Sequence, residues 1–552
     1  MRKNGAEIVV ETLISHGVTD VFGYPGGAVL DLYDALYRNS GRINHYISAH
    51  EQGAAHAADG YARATGKVGV CMATSGPGAA NLVTGIATAY LDSTPMIAIT
   101  GNVPLPLIGK DSFQEIDIAG ITMPITKHNY IVKNVSELED IICEAFQISQ
   151  SGRPGPVLID IPKNVQAEMC EFRGGKPLSL FEKPSVCDEK LAEIAKVISA
   201  AERPYIYCGG GVVISGAAGE LMKLAEKIDA PIGCSMMGLS AVPADHRLAL
   251  GMTGMHGMYA SSKMKGDADV VIGIGVRFSD RATGDKAAYQ AGTKIIHIDI
   301  DDAEIDKNIP ATLSAIGDIK TVLPKLTELV EPSTCDKWNK LALEYKQFAD
   351  ERFNKAGFNP GNIIRAVQKR AGTDMAVATD VGQHQMWVAQ YYGFENPRTF
   401  LTSGGLGTMG FGMGAANGAS VARDNAKTVL FTGDGSFHMN MTELATAVRY
   451  NLPVVVVLLN NSVLGMVRQW QGLFYQGRYS QTTMERPTNY KMLAEAFGAK
   501  GFDATSENEL EAALDAAFES DGPVLINCVI DSDEKVLPMI PAGKAVTDMI
   551  ID

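Results

Sequence analysis

The chain has 552 residues, and at roughly 100–200 residues per domain it should hold about three to four domains. Its 46% hydrophobic and 20% charged content suits a large globular protein with ample core, not a disordered or fibrous one. A formal net charge of −15 argues against nucleic acid or an anionic membrane as a general partner, so any anionic ligand needs local cations and helix N-termini.

The N-terminal residues lead into an amphipathic stretch with no signal peptide, transit segment or long apolar span, so a cytoplasmic protein is expected. The 8 cysteines are scattered and none forms a Cys-x-x-Cys pair, which fits isolated thiols in a reducing compartment. In block one, a predicted strand at residues 43–48 precedes Glu51 in a small-residue stretch. The order strand 68–74, turn Ser75-Gly76-Pro77-Gly78, helix 79–91 and strand 96–100 then reads as a βαβ unit. The block closes with a strand at 157–161, and residues 167–184 read as a strand-poor linker. Block two opens near Cys187 with a helical pattern. Its apolar runs at 205–208, 270–275 and 295–300, the first ending in Gly209-Gly210-Gly211, indicate a second doubly wound domain. Charged helical sequence at 336–353 links it to block three. The expected organisation is α/β: three doubly wound parallel-sheet domains at residues 1–166, 185–335 and 358–552, the outer two alike in pattern.

Block three carries the strongest motif. An apolar run at 428–432 meets Gly433-Asp434-Gly435, a helical stretch follows at 441–448, and a second apolar run ends at Asn460-Asn461. In such a unit both strands deliver their carboxyl ends to one sheet edge, where ligands bind. Asp434 and Asn461 therefore come together as hard oxygen ligands suited to magnesium or calcium, and the glycines let backbone N–H groups approach a phosphate. The local reading is a metal-bridged diphosphate site.

That spacing matches the thiamine-diphosphate signature, and the chain as a whole resembles the catalytic subunits of the acetohydroxyacid (acetolactate) synthases. The matching stretches include Phe22–Ala28, His50-Glu51-Gln52-Gly53, Thr74–Gly78, Ser112–Glu115, Gly254–Gly257, Arg277–Arg281, Gly382–Trp387, Gly404–Met409, Met466–Gln471 and Pro538–Ala542. The resemblance implies three cofactors: thiamine diphosphate, Mg2+ and a structural FAD. Glu51 would drive the aminopyrimidine to its imino tautomer, a task that needs a carboxylate at N1′. Met409 would wedge the two cofactor rings together, and the Gly407 carbonyl would accept from the amino group. Gly382, Gln383, His384, Gly433, Gly435 and Ser436 would hold the diphosphate, with Asp434, Asn461 and the Val463 carbonyl on the metal. Gly412-Met413-Gly414-Ala415 lacks the proline usual there, so a slightly looser turn is expected.

For FAD the resemblance implies Arg153, Gly209, Gly210, Gly211, Met255, His256, Arg277, Arg281, Asp299 and Asp318. Ser279 stands where the family usually has Asp, which puts one flavin contact in question. Gly27, Phe113, Gln114, Lys163, Val467 and Trp470 would shape the substrate pocket. Arg281 would meet the acceptor carboxylate, for which a guanidinium fork is well suited.

The implied reaction is decarboxylation of pyruvate and transfer of the two-carbon unit to a second 2-ketoacid. Pyruvate gives 2-acetolactate, and 2-ketobutyrate gives 2-aceto-2-hydroxybutyrate. The resemblance further implies a homodimer or homotetramer with active sites between chains, Glu51 from one and Gly433–Asn461 from the other. A small regulatory subunit is a possible partner. The rival readings are a flavin-dependent pyruvate oxidase, another thiamine-diphosphate 2-ketoacid decarboxylase, and a non-catalytic nucleotide-binding protein. Arg281 and Trp470 argue against the oxidase; intact Glu51, Asp434 and Asn461 argue against the non-catalytic reading.

Overall fold

The structure is a computed structural model that describes residues 1–178, 184–484 and 487–552. It holds three six-stranded sheets, every strand pair within them parallel. The first is built in the spatial order Asn44–Ile47, Asp20–Gly23, Gly69–Ala73, Met96–Asn102, Pro156–Pro162, His128–Ile131. The third has the order Phe400–Leu401, Ala376–Thr379, Thr428–Gly433, Val454–Asn460, Val524–Val529, Lys500–Ala504. With strands numbered in chain order within each sheet, both read 2-1-3-4-6-5, so the likeness expected of the two outer blocks is one of topology. The middle sheet, residues 204–316, reads 3-2-1-4-5-6, the order of dinucleotide-binding folds. In each sheet the order reverses beside its first strand, and that reversal marks a crevice at the carboxyl edge.

The strand-poor linker expected at 167–184 holds one short strand among its described residues. Met169–Glu171 pairs antiparallel with Arg2–Asn4, and residues 179–183 of that linker lie outside the described residues. The helix expected at 79–91 is two helices, Pro77–Asn81 and Val83–Leu91, meeting at Leu82. The charged stretch forms the Asp336–Phe353 helix as expected.

The outer sheets are joined within one chain by the helices Glu51–Thr65 and Phe411–Ala422, which pack through small residues. A Cβ on Gly418 would lie 1.9 Å from the Ala57 carbonyl oxygen, and one on Gly60 2.2 Å from that of Ala415. The helices approach backbone to backbone at these glycines, and a side chain at either position would hold them apart. Here the structure corrects the expectation of a loosened turn. Gly412-Met413-Gly414-Ala415 lies inside the Phe411–Ala422 helix, and Gly414 stands where a Cβ would come 2.8 Å from the Gly53 carbonyl. Gly414 therefore belongs to a helix contact, not to a turn. Gly418→Ala is expected to lower stability by about 1–3 kcal/mol through overpacking, read as a shift of the denaturation midpoint. An unchanged midpoint would mean that the helix pair can part without cost.

Candidate active site

The carboxyl edge of the third sheet assembles the motif residues of block three. Gly382 caps the Gln383–Tyr391 helix, and the buried His384 ring lies against the positions where Gly382 and Gly433 lack a Cβ, 2.8 Å and 2.9 Å away. Burial pulls the His384 imidazole down to about 3, so it is neutral, and its Nε2 is buried without a hydrogen-bond partner. Such an orphaned atom costs free energy unless a ligand meets it. Asn461 Nδ2 donates to Gln383 Oε1 at 3.1 Å, while Gln383 Nε2 donates to Gln469 Oε1 at 3.0 Å and to the Glu534 carbonyl at 2.8 Å. This fixes the amide of Asn461 so that its Oδ1 serves as acceptor. Asp434 is buried at the start of the Asp434–Asn440 helix, immediately after the strand that ends at Gly433, and Val463 is buried two residues beyond Asn461. Ser436 Oγ donates to the Val381 carbonyl at 2.8 Å.

Among the described residues no cluster of three or more His, Cys, Asp or Glu is placed to hold a metal. A carboxylate, an amide oxygen and a carbonyl are all hard oxygen donors, a class that suits magnesium or calcium.

Met409 is half-buried, and its methyl carbon lies 3.8 Å from the position a Cβ would take on Gly435, so it stands beside the glycine turn. Gly407 and Gly410 have φ of +70° and +88°, a backbone region that glycine enters without strain. Gly410 is held at both groups: its N–H donates to Asp380 Oδ1 at 2.7 Å, and its carbonyl accepts from Asn440 Nδ2 at 2.7 Å. Burial pushes the Asp380 carboxyl up to about 6 against these hydrogen bonds.

The carboxyl edge of the first sheet gathers a second group. Glu51 opens the Glu51–Thr65 helix, and its Oε2 accepts from Asn81 Nδ2 at 2.9 Å. Its other oxygen lies 3.1 Å from the Cβ position of Gly78, where the missing side chain leaves the carboxylate accessible. The preceding residue, His50, donates its backbone N–H to Glu443 Oε1 at 2.9 Å, and burial pushes the Glu443 carboxyl up to about 7. Lys163 Nζ donates to the Gly27 carbonyl at 3.1 Å, and the backbone of Gln114, at φ +58°, closes on Gly76. Phe113 is 88% exposed.

The middle sheet opens on a cavity of about 890 Å3 that runs to the third sheet's edge. At one end it is lined by Arg153, Gly210, Gly211, Asp299 and Asp318, and at the other by Gly407, Met466 and Trp470. Between them lie Met255, His256, Arg277, Ser279 and Arg281. Gly209 is not among the lining residues; it caps the Gly210–Ser215 helix so close to Gly275 that a Cβ would lie 1.8 Å from its carbonyl oxygen. Arg153 reaches from the first domain to Glu304 at 2.8 Å, and Arg277 Nη1 donates to the Leu91 carbonyl at 2.7 Å. His256 is buried with an orphaned Nδ1, and burial, aided by the Arg281 charge, pulls it down to about 4. Arg281 lies 5.7 Å from the Trp470 ring centroid and 3.6 Å from Met255 Sδ. Trp470 packs edge-on against Phe474 at 5.4 Å. Val467, on the same Gly465–Phe474 helix, is 51% exposed and is not among the lining residues.

Three family models match this chain: the thiamine pyrophosphate enzyme N-terminal TPP binding domain at residues 3–121, the central domain at 191–326, and the C-terminal TPP binding domain at 380–528. The probable acetolactate synthase large subunit of Methanocaldococcus jannaschii is 46% identical over 99% of this chain and 95% of its own length. The chain belongs to the acetolactate synthase large-subunit family of thiamine pyrophosphate enzymes. The isozyme 2 large subunit of Escherichia coli is 44% identical over 99% of both chains, and the large subunit of Lactococcus lactis 43% over 99% of this chain and 96% of its own. Membership assigns the two outer sheets to thiamine pyrophosphate binding, one at each end of the chain.

Motif reading did not single out several residues that line the cavity or frame it. Arg398 lines it with a guanidinium bonded to the carbonyls of Arg63 and Ile214, and Met236 and Met237 form part of its wall. Arg63 and Asp92 line it too. Only the i,i+4 spacing of Asp59 and Arg63 carried any local signal.

Proposed function

We propose that this chain is the catalytic subunit of an acetolactate synthase, converting two pyruvates to 2-acetolactate and CO2, or pyruvate and 2-ketobutyrate to 2-aceto-2-hydroxybutyrate. The observation that carries this reading is the cavity that joins a dinucleotide-type crevice to the Gly407–Met409 loop, with Arg281 and Trp470 at its mouth. A simple decarboxylase needs no cation there, whereas a carboligase must hold a second carboxylate. Thiamine diphosphate, when bound, supplies the nucleophilic carbon and the electron sink for loss of CO2.

The residues divide the remaining work. Asp434, Asn461 and the Val463 carbonyl would hold Mg2+, and the orphaned His384 Nε2 supports an anionic ligand beside Gly433 and Gly435. Ser436, Gly382 and Gln383 shape that cradle. Met409 fills the space behind the bound rings, a role suited to a flexible thioether. Glu51 would hold and release the proton at the pyrimidine N1′. Gly27, Phe113, Gln114 and Lys163 share the edge of the first sheet with Glu51, and the 88% exposure of Phe113 supports a second copy of the chain covering that edge in a homodimer or homotetramer. Val467, also exposed, would face the same substrate space. The cavity volume and strand order suit FAD, with Arg153, Gly210, Gly211, Arg277, Asp299 and Asp318 around it and His256 Nδ1 awaiting a partner. We extend the three domains to residues 1–166, 185–335 and 358–552. We place the enzyme in the cytoplasm and allow it a small regulatory subunit; no described helix is long and apolar enough to cross a membrane.

The test is product analysis from pyruvate with and without 2-ketobutyrate, alongside oxygen uptake. Stoichiometric oxygen consumption with acetate-level products would favour the pyruvate oxidase and sink the carboligase. Arg281→Ala is expected to raise the ratio of acetaldehyde to acetolactate. The side chain is 61% exposed in the single chain, so the loss in acceptor affinity is about tenfold, the low end for a charge-assisted contact. If both products fall together at saturating FAD, Arg281 does not meet the acceptor.

A further inference from the structure

The loop that carries Gly407 and Met409 is held largely by another domain. Asp92 caps the Val83–Leu91 helix of the first domain, and its side chain is fully buried. Asp92 Oδ1 accepts the Gly405 N–H at 2.6 Å, and Oδ2 accepts the Gly404 N–H at 3.2 Å. Oδ2 also accepts from Arg63 Nη2 at 2.9 Å. Arg63 in turn pairs with the buried Asp59, and its Nη1 donates to the Thr402 carbonyl at 2.9 Å. One turn earlier on the same helix, Thr88 Oγ1 meets Thr408 Oγ1 at 2.7 Å. Arg277 reaches the Leu91 carbonyl from the middle domain.

Gly405 is where the three domains converge. A Cβ there would lie 2.7 Å from Asp92 Oδ1, 2.9 Å from the Leu91 oxygen and 3.1 Å from Arg277 Nη2. The loop needs this anchoring. Gly404, Gly405 and Gly407 have no side chains to pack, all three are exposed, and Gly407 adopts φ +70°. Such a segment is conformationally free unless its backbone is tied down. Downstream of Met409 the ties are internal to the third domain, through Asp380 and Asn440 to Gly410. Upstream, Gln385 holds Thr402 and the Ser403 carbonyl from within the third domain, and Ser403 Oγ accepts the Thr408 N–H, while Gly404, Gly405, the Thr402 carbonyl and the Thr408 hydroxyl are tied to the first domain by Asp92, Arg63 and Thr88.

We propose that Asp92 is a positioning residue, which through the Gly404 and Gly405 N–H groups sets where Met409 stands against the cofactor and locks that position to the flavin cavity through Leu91 and Arg277. This rests on the acetolactate synthase reading and adds the element that fixes the loop. Two buried carboxylates, Asp59 and Asp92, share one guanidinium, and the two glycine N–H groups supply the remaining donors to Asp92. Neutralising Asp92 removes the acceptor for charge-assisted hydrogen bonds and leaves those N–H groups competing for one amide oxygen.

The test uses full-length Asp92→Asn and Thr88→Val, the latter removing one hydroxyl contact to the loop without touching the ion pair. For Asp92→Asn, kcat is expected to fall about 10- to 100-fold, the scale of an ångström-sized misplacement. The dissociation constant for thiamine diphosphate with Mg2+ should stay within about threefold, because the diphosphate anchors lie on other loops. The near-ultraviolet circular dichroism of bound thiamine diphosphate should change in both variants. Thr88→Val should show a smaller fall in kcat in the same direction and an unaltered melting temperature. Wild-type kcat and dichroism in Asp92→Asn would overturn the proposal. So would a silent Thr88→Val beside an Asp92→Asn that merely loses activity in step with melting temperature. Should Asp92→Asn not fold, Thr88→Val decides alone. A wild-type enzyme that forms no acetolactate would sink the functional reading, while the binding and dichroism comparison would still report on the loop.

Discussion

Glu51→Gln is expected to bind thiamine diphosphate and Mg2+ normally and to turn over about 10²–10⁴ times more slowly, the usual worth of a placed general acid–base group. The substitution keeps the volume of the side chain and one acceptor oxygen. That oxygen can still take the Asn81 Nδ2 hydrogen bond, so the start of the Glu51–Thr65 helix keeps its shape. The backbone N–H groups that precede it remain tied to the 443–450 segment: His50 to Glu443, Ala49 to Thr446 Oγ1 and Ile47 to the Tyr450 hydroxyl. What is lost is the ability to take and return a proton. The decisive measurement is the exchange rate of the cofactor C2 proton in the variant, with binding followed separately by titration. Exchange at a near-normal rate would remove Glu51 from the mechanism, whatever the effect on overall turnover. Glu51→Asp gives the geometric control: it keeps the chemistry but withdraws the carboxylate by one methylene, so it should recover part of the exchange rate.

Much of this site was legible in the sequence because parallel-sheet topology brings distant motifs to one edge. Gly433-Asp434-Gly435 and Asn461 end adjacent strands, Thr428–Gly433 and Val454–Asn460, and pairing of those strands residue by residue carries the two motifs together. The same logic found the 74–78 turn and the glycines of 209–211, since each follows a recognisable apolar strand. The contacts between domains were not legible. Asp92, Arg398, Met236 and Met237 fall in short connections with no period and no motif, and their partners lie up to hundreds of residues away. The packing of Gly414 against Gly53 was read as a turn at residues 412–415, because a glycine in an apolar stretch signals a loop unless the facing helix is known. Leu82 interrupts a helix that the pattern reads as continuous, since residues on both sides keep the same buried face. Local sequence thus reported what each strand end offers, and the long-range packing decided how rigidly it is presented.

Asp434→Ala is expected to lose Mg2+-dependent retention of thiamine diphosphate, with at least about a 100-fold fall in Mg2+ affinity. Outer partners of metal ligands already cost 10–100-fold when removed, so a direct ligand should cost no less. The carboxylate is the one charged group of the proposed donor set, and neither the Asn461 amide oxygen nor the Val463 carbonyl can replace its charge opposite a diphosphate. Folding should survive. Asp434 stands in the first turn of the Asp434–Asn440 helix, where an acidic side chain contributes about 0.3–1 kcal/mol through the helix dipole. Cofactor is expected no longer to raise the melting temperature of the variant. The comparison that decides is thiamine diphosphate affinity with and without a chelator. In the unmodified protein the chelator should weaken binding steeply; in Asp434→Ala it should have little left to remove. Equal affinity in the two proteins under both conditions would mean that no metal bridges this carboxylate to the diphosphate, and that the glycine turn and His384 hold the anion by themselves.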